Sequence, residues 1–124
     1  MAKVLIVDDA KIMRLNLGKM LIELGHEVIA EAGTGYEGIE MYKKHKPDFV
    51  TMDISMPAEN NIKDGIEAVG LIREVDSSAK IIMVTSHGEE EKVMRAIKNG
   101  AKNYMLKPIN IDKVKDVVNK VLAT

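Results

Sequence analysis

Asp53 ends the apolar run Phe49-Val50-Thr51-Met52 and is followed by Ile54, Ser55, Met56 and the breaker Pro57. Asp8 and Asp9 end a second aliphatic run, Val4 to Val7. Thr85 follows a third run that closes at Val84, and Lys107 follows a fourth that closes at Leu106. Taken singly, each has an ordinary reading: an acid there is commonly a helix cap, a threonine a strand-end hydroxyl, a lysine a solvated charge. Their joint occurrence at the ends of four runs points instead to shared chemistry. Two unit charges about 4 Å apart repel by roughly 4 kcal/mol at an effective dielectric of about 20, so three gathered carboxylates need a compensating cation. Oxygen ligands with no histidine or cysteine nearby favour a hard ion, and two carboxylates completed by waters suit magnesium better than calcium. Such an ion beside a carboxylate, a hydroxyl and an ammonium makes a set that handles phosphoryl groups. The ion and Lys107 neutralise oxygens that carry charge in the transition state, the Thr85 hydroxyl bonds one more, and Asp53 is placed as the nucleophile.

A parallel sheet would bring these residues to one rim. Lys3 to Val7 is a continuous aliphatic run, the pattern of a strand buried on both faces. Lys11 to Leu24 carries Met13, Leu17, Met20, Leu21 and Leu24 at helical spacing, with Gly25 placed to stop it. A weaker strand is predicted from Glu27 to Glu31 around Val28 and Ile29, and then a helix capped by Thr34 that runs through Ile39 and Tyr42 to His45-Lys46-Pro47. The Asp53 strand leads through a polar loop, Ala58 to Gly65, into a helix expected to turn Ala68, Leu71, Ile72 and Val75 inward, with Gly70 weakening it. Ala79 to Val84 is the fourth strand, Glu89 to Lys98 a helix with an acidic first turn closed by Asn99-Gly100, and Lys102 to Leu106 the fifth strand. Asn110 caps a last helix with Val114, Val117, Val118 and Val121 inward.

Five β-α repeats with strands needing cover on both faces require right-handed crossovers. The smallest common solution is the doubly wound, flavodoxin-like (βα)5 α/β sandwich, a five-stranded parallel sheet of order 2-1-3-4-5. Every strand's C-terminus then points the same way, so Asp8, Asp9, Asp53, Thr85 and Lys107 share one edge, where ligands of open α/β sheets bind.

Size and composition limit the alternatives. A length of 124 residues is that of one domain spanning 1–124, with one core and no room for an output module. Hydrophobic content of 46% against 30% charged residues is that of a globular protein rather than a disordered one. A formal net charge of −1 gives no global attraction to nucleic acid or anionic membrane. Zero cysteines remove disulfide scaffolds, thiolate catalysis and cysteine-based zinc sites. The N-terminal run is broken by Asp8 and Asp9 and is neither a signal peptide nor a membrane span, so a cytoplasmic protein is expected.

Taken together, Val4-Leu5-Ile6-Val7-Asp8-Asp9, Met52-Asp53-Ile54-Ser55-Met56-Pro57, Asp64-Gly65, Val84-Thr85-Ser86, Gly100-Ala101 and Lys107-Pro108 make the sequence resemble a response-regulator receiver domain of two-component signalling along essentially its whole length. The form is that of stand-alone chemotaxis receivers. The resemblance implies a phosphoprotein in which Asp53 accepts a phosphoryl group from a phosphohistidine on a CheA-like sensor histidine kinase. It implies that Asp8, Asp9, Asp53 and the Ser55 backbone carbonyl hold Mg2+, and that Thr85 and Lys107 bind phosphoryl oxygens. Thr85 and Tyr104 would be the switch pair, altering the face around the fourth helix and fifth strand for a downstream effector. The only catalysis implied is of its own phosphorylation and dephosphorylation, in a monomer with no nucleic-acid or membrane partner. Ser55 and His87 fall where the family tunes hydrolysis, and Lys107-Pro108 resembles the family's cis peptide.

One departure is the loop from Pro57 to Asp64-Gly65, longer than the family's spacing by roughly four residues, an insertion of a size surface loops tolerate. It borders Asp53. Among rivals, a haloacid-dehalogenase-type Mg2+-dependent aspartate phosphatase needs a nucleophile at the first strand's end with a second acid two residues on, whereas Asp8 and Asp9 are adjacent and followed by Ala10. A flavodoxin needs a Ser/Thr/Gly-rich phosphate loop where Asp8-Asp9-Ala10-Lys11 would repel the flavin phosphate. A non-phosphorylated scaffold receiver fits poorly with a complete set of acceptor-site residues. A phosphorelay intermediate remains the alternative to a motility regulator.

Overall fold

The computed structural model describes all residues, 1–124. Strands and helices alternate: β1 (Lys3–Val7), α1 (Lys11–Glu23), β2 (Glu27–Ala32), α2 (Gly35–His45), β3 (Phe49–Asp53), α3 (Gly65–Val75), β4 (Ile81–Thr85), α4 (Glu90–Lys98), β5 (Asn103–Leu106) and α5 (Ile111–Leu122). The five strands form one parallel sheet of order β2-β1-β3-β4-β5. Strand bounds differ from the sequence expectation by a residue or two: β4 begins at Ile81 and takes in Thr85, β2 reaches Ala32, and β5 begins at Asn103.

Alternation along the strands divides the core in two. Leu5, Val7, Val50, Met52, Ile81 and Met83 face one layer, where α2, α3 and α4 supply Ile39, Tyr42, Val69, Ile72, Val93 and Ala96. Val4, Ile6, Phe49, Ile82 and Val84 face the other, closed by Leu17 and Leu21 of α1 and Val114, Val118 and Val121 of α5. Both faces of the central strands are covered, which is why β1, β3 and β4 read as largely apolar runs, with Thr51 the one polar residue inside β3.

Helix ends follow their local chemistry. The Thr34, Asp64 and Asn110 side chains accept from the backbone N–H of Glu37, Glu67 and Lys113 respectively. Gly25 (φ 92°) and Gly100 (φ 120°) supply the left-handed turns after α1 and α4.

The inward face of α3 differs from the expected one. Ile66, Ala68, Val69 and Ile72 are buried, whereas Leu71 is 36% and Val75 49% exposed. Apolar residues occur all round this helix, so spacing alone allowed two phases. The junction with β3 selects one of them. Gly65 N–H donates to the Ile54 carbonyl at 2.8 Å, and a Cβ on Gly65 would overlap the Asp53 carbonyl oxygen. This close approach orients the first turn of α3. Asn99 lies beside Gly70 and donates from Nδ2 to the Ile66 carbonyl at 3.1 Å.

Candidate functional site

Register brings the acids together. Val7 of β1 pairs with Met52 of β3, and each strand's next residue is an aspartate, Asp8 and Asp53. On the other side of β3, Asp53 pairs with Val84, and Thr85 pairs with Leu106, the residue before Lys107. Parallel neighbours lie about 4.8 Å apart, so side chains leaving these strand ends share one crevice. Carboxylate oxygens of Asp8, Asp9 and Asp53 lie within 4.8 Å of one another. Asp8 and Asp53 are buried, at 5% and 7% exposure, and Asp9 is exposed.

Asp8 is not the helix cap of its ordinary reading: the cap position of α1 is Ala10, which carries no side-chain cap bond, and Asp8 lies two residues ahead of it. Its Oδ1 accepts the Ala10 N–H at 2.8 Å, fixing the entry to α1, while Oδ2 lies 3.5 Å from Lys107 Nζ. The same ammonium is 3.5 Å from Asp53 Oδ1, so one lysine bridges two buried acids. Its backbone is set by a 2.7 Å hydrogen bond from Lys107 N–H to the Thr85 carbonyl, and the following Lys107–Pro108 bond is cis. One cation against three acids does not balance the charge. Burial pushes the Asp53 carboxyl up from an ordinary 3.8 to about 6. The Asp8 charge adds to this, Lys107 pulls the other way, and Asp9 adds a further push. An all-oxygen cluster with surplus negative charge is a chemically apt cage for a hard divalent ion.

Thr85 is buried at the end of β4, and its hydroxyl donates to Glu89 Oε1 at 2.8 Å. Glu89 also accepts the Ser86 N–H at 3.1 Å and the Ser55 hydroxyl, on its Oε2, at 3.0 Å. Partial burial works to raise the Glu89 carboxyl. The donors Ser86, Thr85 and Ser55, with Lys92 beside them, outweigh it and hold the group below its usual range. The sequence had suggested only a dipole-complementing acid at Glu89; its sole further signal was an acid four residues after Thr85, with Gly88 between them to let the chain fold back.

Tyr104 lies on the edge strand β5, 45% exposed, beside a largely apolar hollow of about 140 Å³ lined by Ser86, Glu90, Val93, Met94 and Leu106. His87 is exposed in the loop before α4. The loop between Pro57 and Gly65 holds a tight turn. Glu59 and Ile62 exchange backbone hydrogen bonds of 3.1 and 3.0 Å around Asn60 and Asn61, both in left-handed conformation (φ 50° and 66°). Thr34 Oγ1 donates to Glu59 Oε1 at 2.6 Å, and Ile62 packs over Gly35, so this loop docks on the start of α2.

Comparison with known proteins agrees with this architecture. Residues 4–119 match the response regulator receiver domain. The chain is 44% identical over 120 residues to Chemotaxis protein CheY of Bacillus subtilis, covering 97% of each. It is 49% identical over 124 residues to Chemotaxis protein CheY of Halobacterium salinarum, covering 99% of each. A chain of the CheX-CheY-BeF3-Mg+2 complex from Borrelia burgdorferi is 36% identical and superposes with a TM-score of 0.88, over 96% of this chain and 87% of that one. The protein belongs to the response-regulator receiver domain family, among chemotaxis signalling relatives of the CheY type. No helix is long and apolar enough to cross a membrane.

Proposed function

We propose that the protein is a phosphorylatable response regulator in chemotaxis or motility control, with Asp53 as the phospho-acceptor. The observation that carries this reading is the charge arrangement at the strand ends: a buried Asp53 crowded by Asp8 and Asp9, with Lys107 reaching both buried acids. Asp8, Asp9 and Asp53, with the Ser55 backbone carbonyl, would hold Mg2+. When bound, the ion supplies positive charge that steadies phosphoryl oxygens and keeps Asp53 ionised.

The chain's own residues do the rest. An Asp53 carboxylate oxygen attacks phosphorus of a kinase phosphohistidine, the P–N bond breaks, and its electron pair leaves with the imidazole nitrogen. Lys107 neutralises one phosphoryl oxygen and the Thr85 hydroxyl donates to another. Water later attacks the acyl phosphate and releases inorganic phosphate, so the chain catalyses only its own turnover. Phosphorylation would shift a two-state equilibrium read out at the face containing Tyr104 and α4.

A CheA-like sensor histidine kinase upstream and an effector at the Tyr104 face are the partners this reading requires. Residues 1–124 would act as one monomeric cytoplasmic receiver domain without nucleic acid or membrane. Incubation with acetyl phosphate and Mg2+ followed by intact mass measurement is the test. Wild type should gain one phosphoryl group and Asp53→Asn none; equal gain by both would remove Asp53 from its role.

A further inference from the structure

We propose that Glu89 is a positioning residue that holds Thr85 away from the phosphoryl group until Asp53 is modified, an inference that rests on the phospho-acceptor reading above. A threonine hydroxyl has one proton to give, and an ionised carboxylate can only accept. Thr85 therefore spends its proton on Glu89 Oε1, at 2.8 Å. An aspartyl phosphate on Asp53 obtains that bond only if Glu89 releases it.

The same carboxylate accepts from Ser55, two residues beyond Asp53, and from the Ser86 N–H, so it ties the β3 exit to the β4 exit. Its side chain is only 20% exposed, which strengthens these bonds relative to a solvated contact. Gly88, at φ 93°, makes the turn that folds Glu89 back over Thr85. A phosphoryl group arriving beside Ser55 brings like charge toward Glu89 and competes for the same donors. Lys92 Nζ, 3.9 Å from Glu89 Oε2, already pairs with the carboxylate and would keep it partnered once Thr85 is released.

Release would have reach. Glu89 is the cap residue of α4, and Ser86, Glu90, Val93 and Met94 line the hollow beside Tyr104. Freeing Thr85 from Glu89 therefore frees the loop that forms one wall of that hollow. The carboxylate thus couples the phosphoryl site to the Tyr104 face through a single exchange of hydrogen-bond partners.

The test is a titration with beryllofluoride and Mg2+, a phosphoryl mimic, followed by amide NMR signals of Thr85 and Tyr104. Losing charge-assisted hydrogen bonds that hold the free state should tighten half-saturation about 10-fold in Glu89→Ala, with Glu89→Gln between it and wild type. A variant that merely loosened the fold would bind more weakly, and thermal midpoints measured alongside would fall with it. In a Thr85→Val background the gain from Glu89→Ala should shrink markedly, because the Thr85 bond, one of the three that Glu89 accepts, is already gone. A gain that persists undiminished there would mean simple charge repulsion and would overturn the proposal, as would unchanged or weaker binding by Glu89→Ala. Failure of wild type itself to bind the mimic would defeat the phospho-acceptor reading together with this one.

Discussion

Asp53 is costly for this protein to keep ionised. The carboxyl is buried beside Asp8, and the single ammonium of Lys107 is shared between them. Its folded value of about 6, against an ordinary 3.8, means that the folded state takes up a proton that the unfolded chain does not hold between about pH 4 and 6. For an acid shifted upward, stability is greatest below the unfolded value and is lost as pH rises through the folded one. In chelator, without divalent ions, the protein should therefore lose stability between pH 4 and 6, apart from its other titrations. Asp53→Asn should remove that component and raise stability near pH 7 by about 1–2 kcal/mol. The full two-unit shift sets a ceiling of roughly 3 kcal/mol, which residual solvent screening reduces. Urea midpoints at several pH values check both. A variant less stable than wild type at pH 7 would show that the Lys107 contact outweighs the crowding.

The elements position the site mainly through two junctions. Parallel register sends Asp8 and Asp53 out of adjacent strands, and Gly65 lets α3 begin against the Asp53 carbonyl. Gly65→Ala should cost about 3 kcal/mol, because the added methyl forces the β3–α3 junction apart in a close-packed interior. Chemical denaturation measures this, and a loss below about 1 kcal/mol would mean that the junction yields freely. Much of this layer was legible in the sequence. The five strands, their order and the caps Thr34 and Asn110 follow from apolar runs, breakers and short polar side chains, whereas the capping of α3 by Asp64 emerges only from the structure. The phase of α3 was not legible, because Ile66, Val69, Leu71, Ile72 and Val75 surround the helix and only a tertiary contact at Gly65 decides between faces. The docking of Glu59 and Ile62 onto the start of α2 was hidden for a similar reason: their partners, Thr34 and Gly35, lie far away in the chain. Glu89 was missed because its importance lies in three donors at the exits of two strands, Ser55 after β3 and Thr85 and Ser86 at the end of β4, rather than in its spacing.

At the scale of the whole molecule, two apolar layers cover the sheet, and one rim of that sheet gathers three acids. A ligand that binds only the folded rim must stabilise the fold by mass action, by about 2.7 kcal/mol at a hundred times its dissociation constant. Millimolar Mg2+ should accordingly raise the thermal midpoint of wild type near pH 7, and much less that of Asp8→Asn. No shift in wild type would contradict the charge-balance account of the rim. On the proposed function the same rim would also receive the phosphoryl group, and locating that bond tests the account most directly. After treatment with acetyl phosphate and Mg2+, borohydride reduction turns an acyl phosphate into an alcohol, and peptide mass mapping finds the altered residue. Conversion of Asp53 to homoserine is the predicted result. Conversion at another carboxylate with Asp53 intact, or none at all in protein that binds Mg2+, would contradict it.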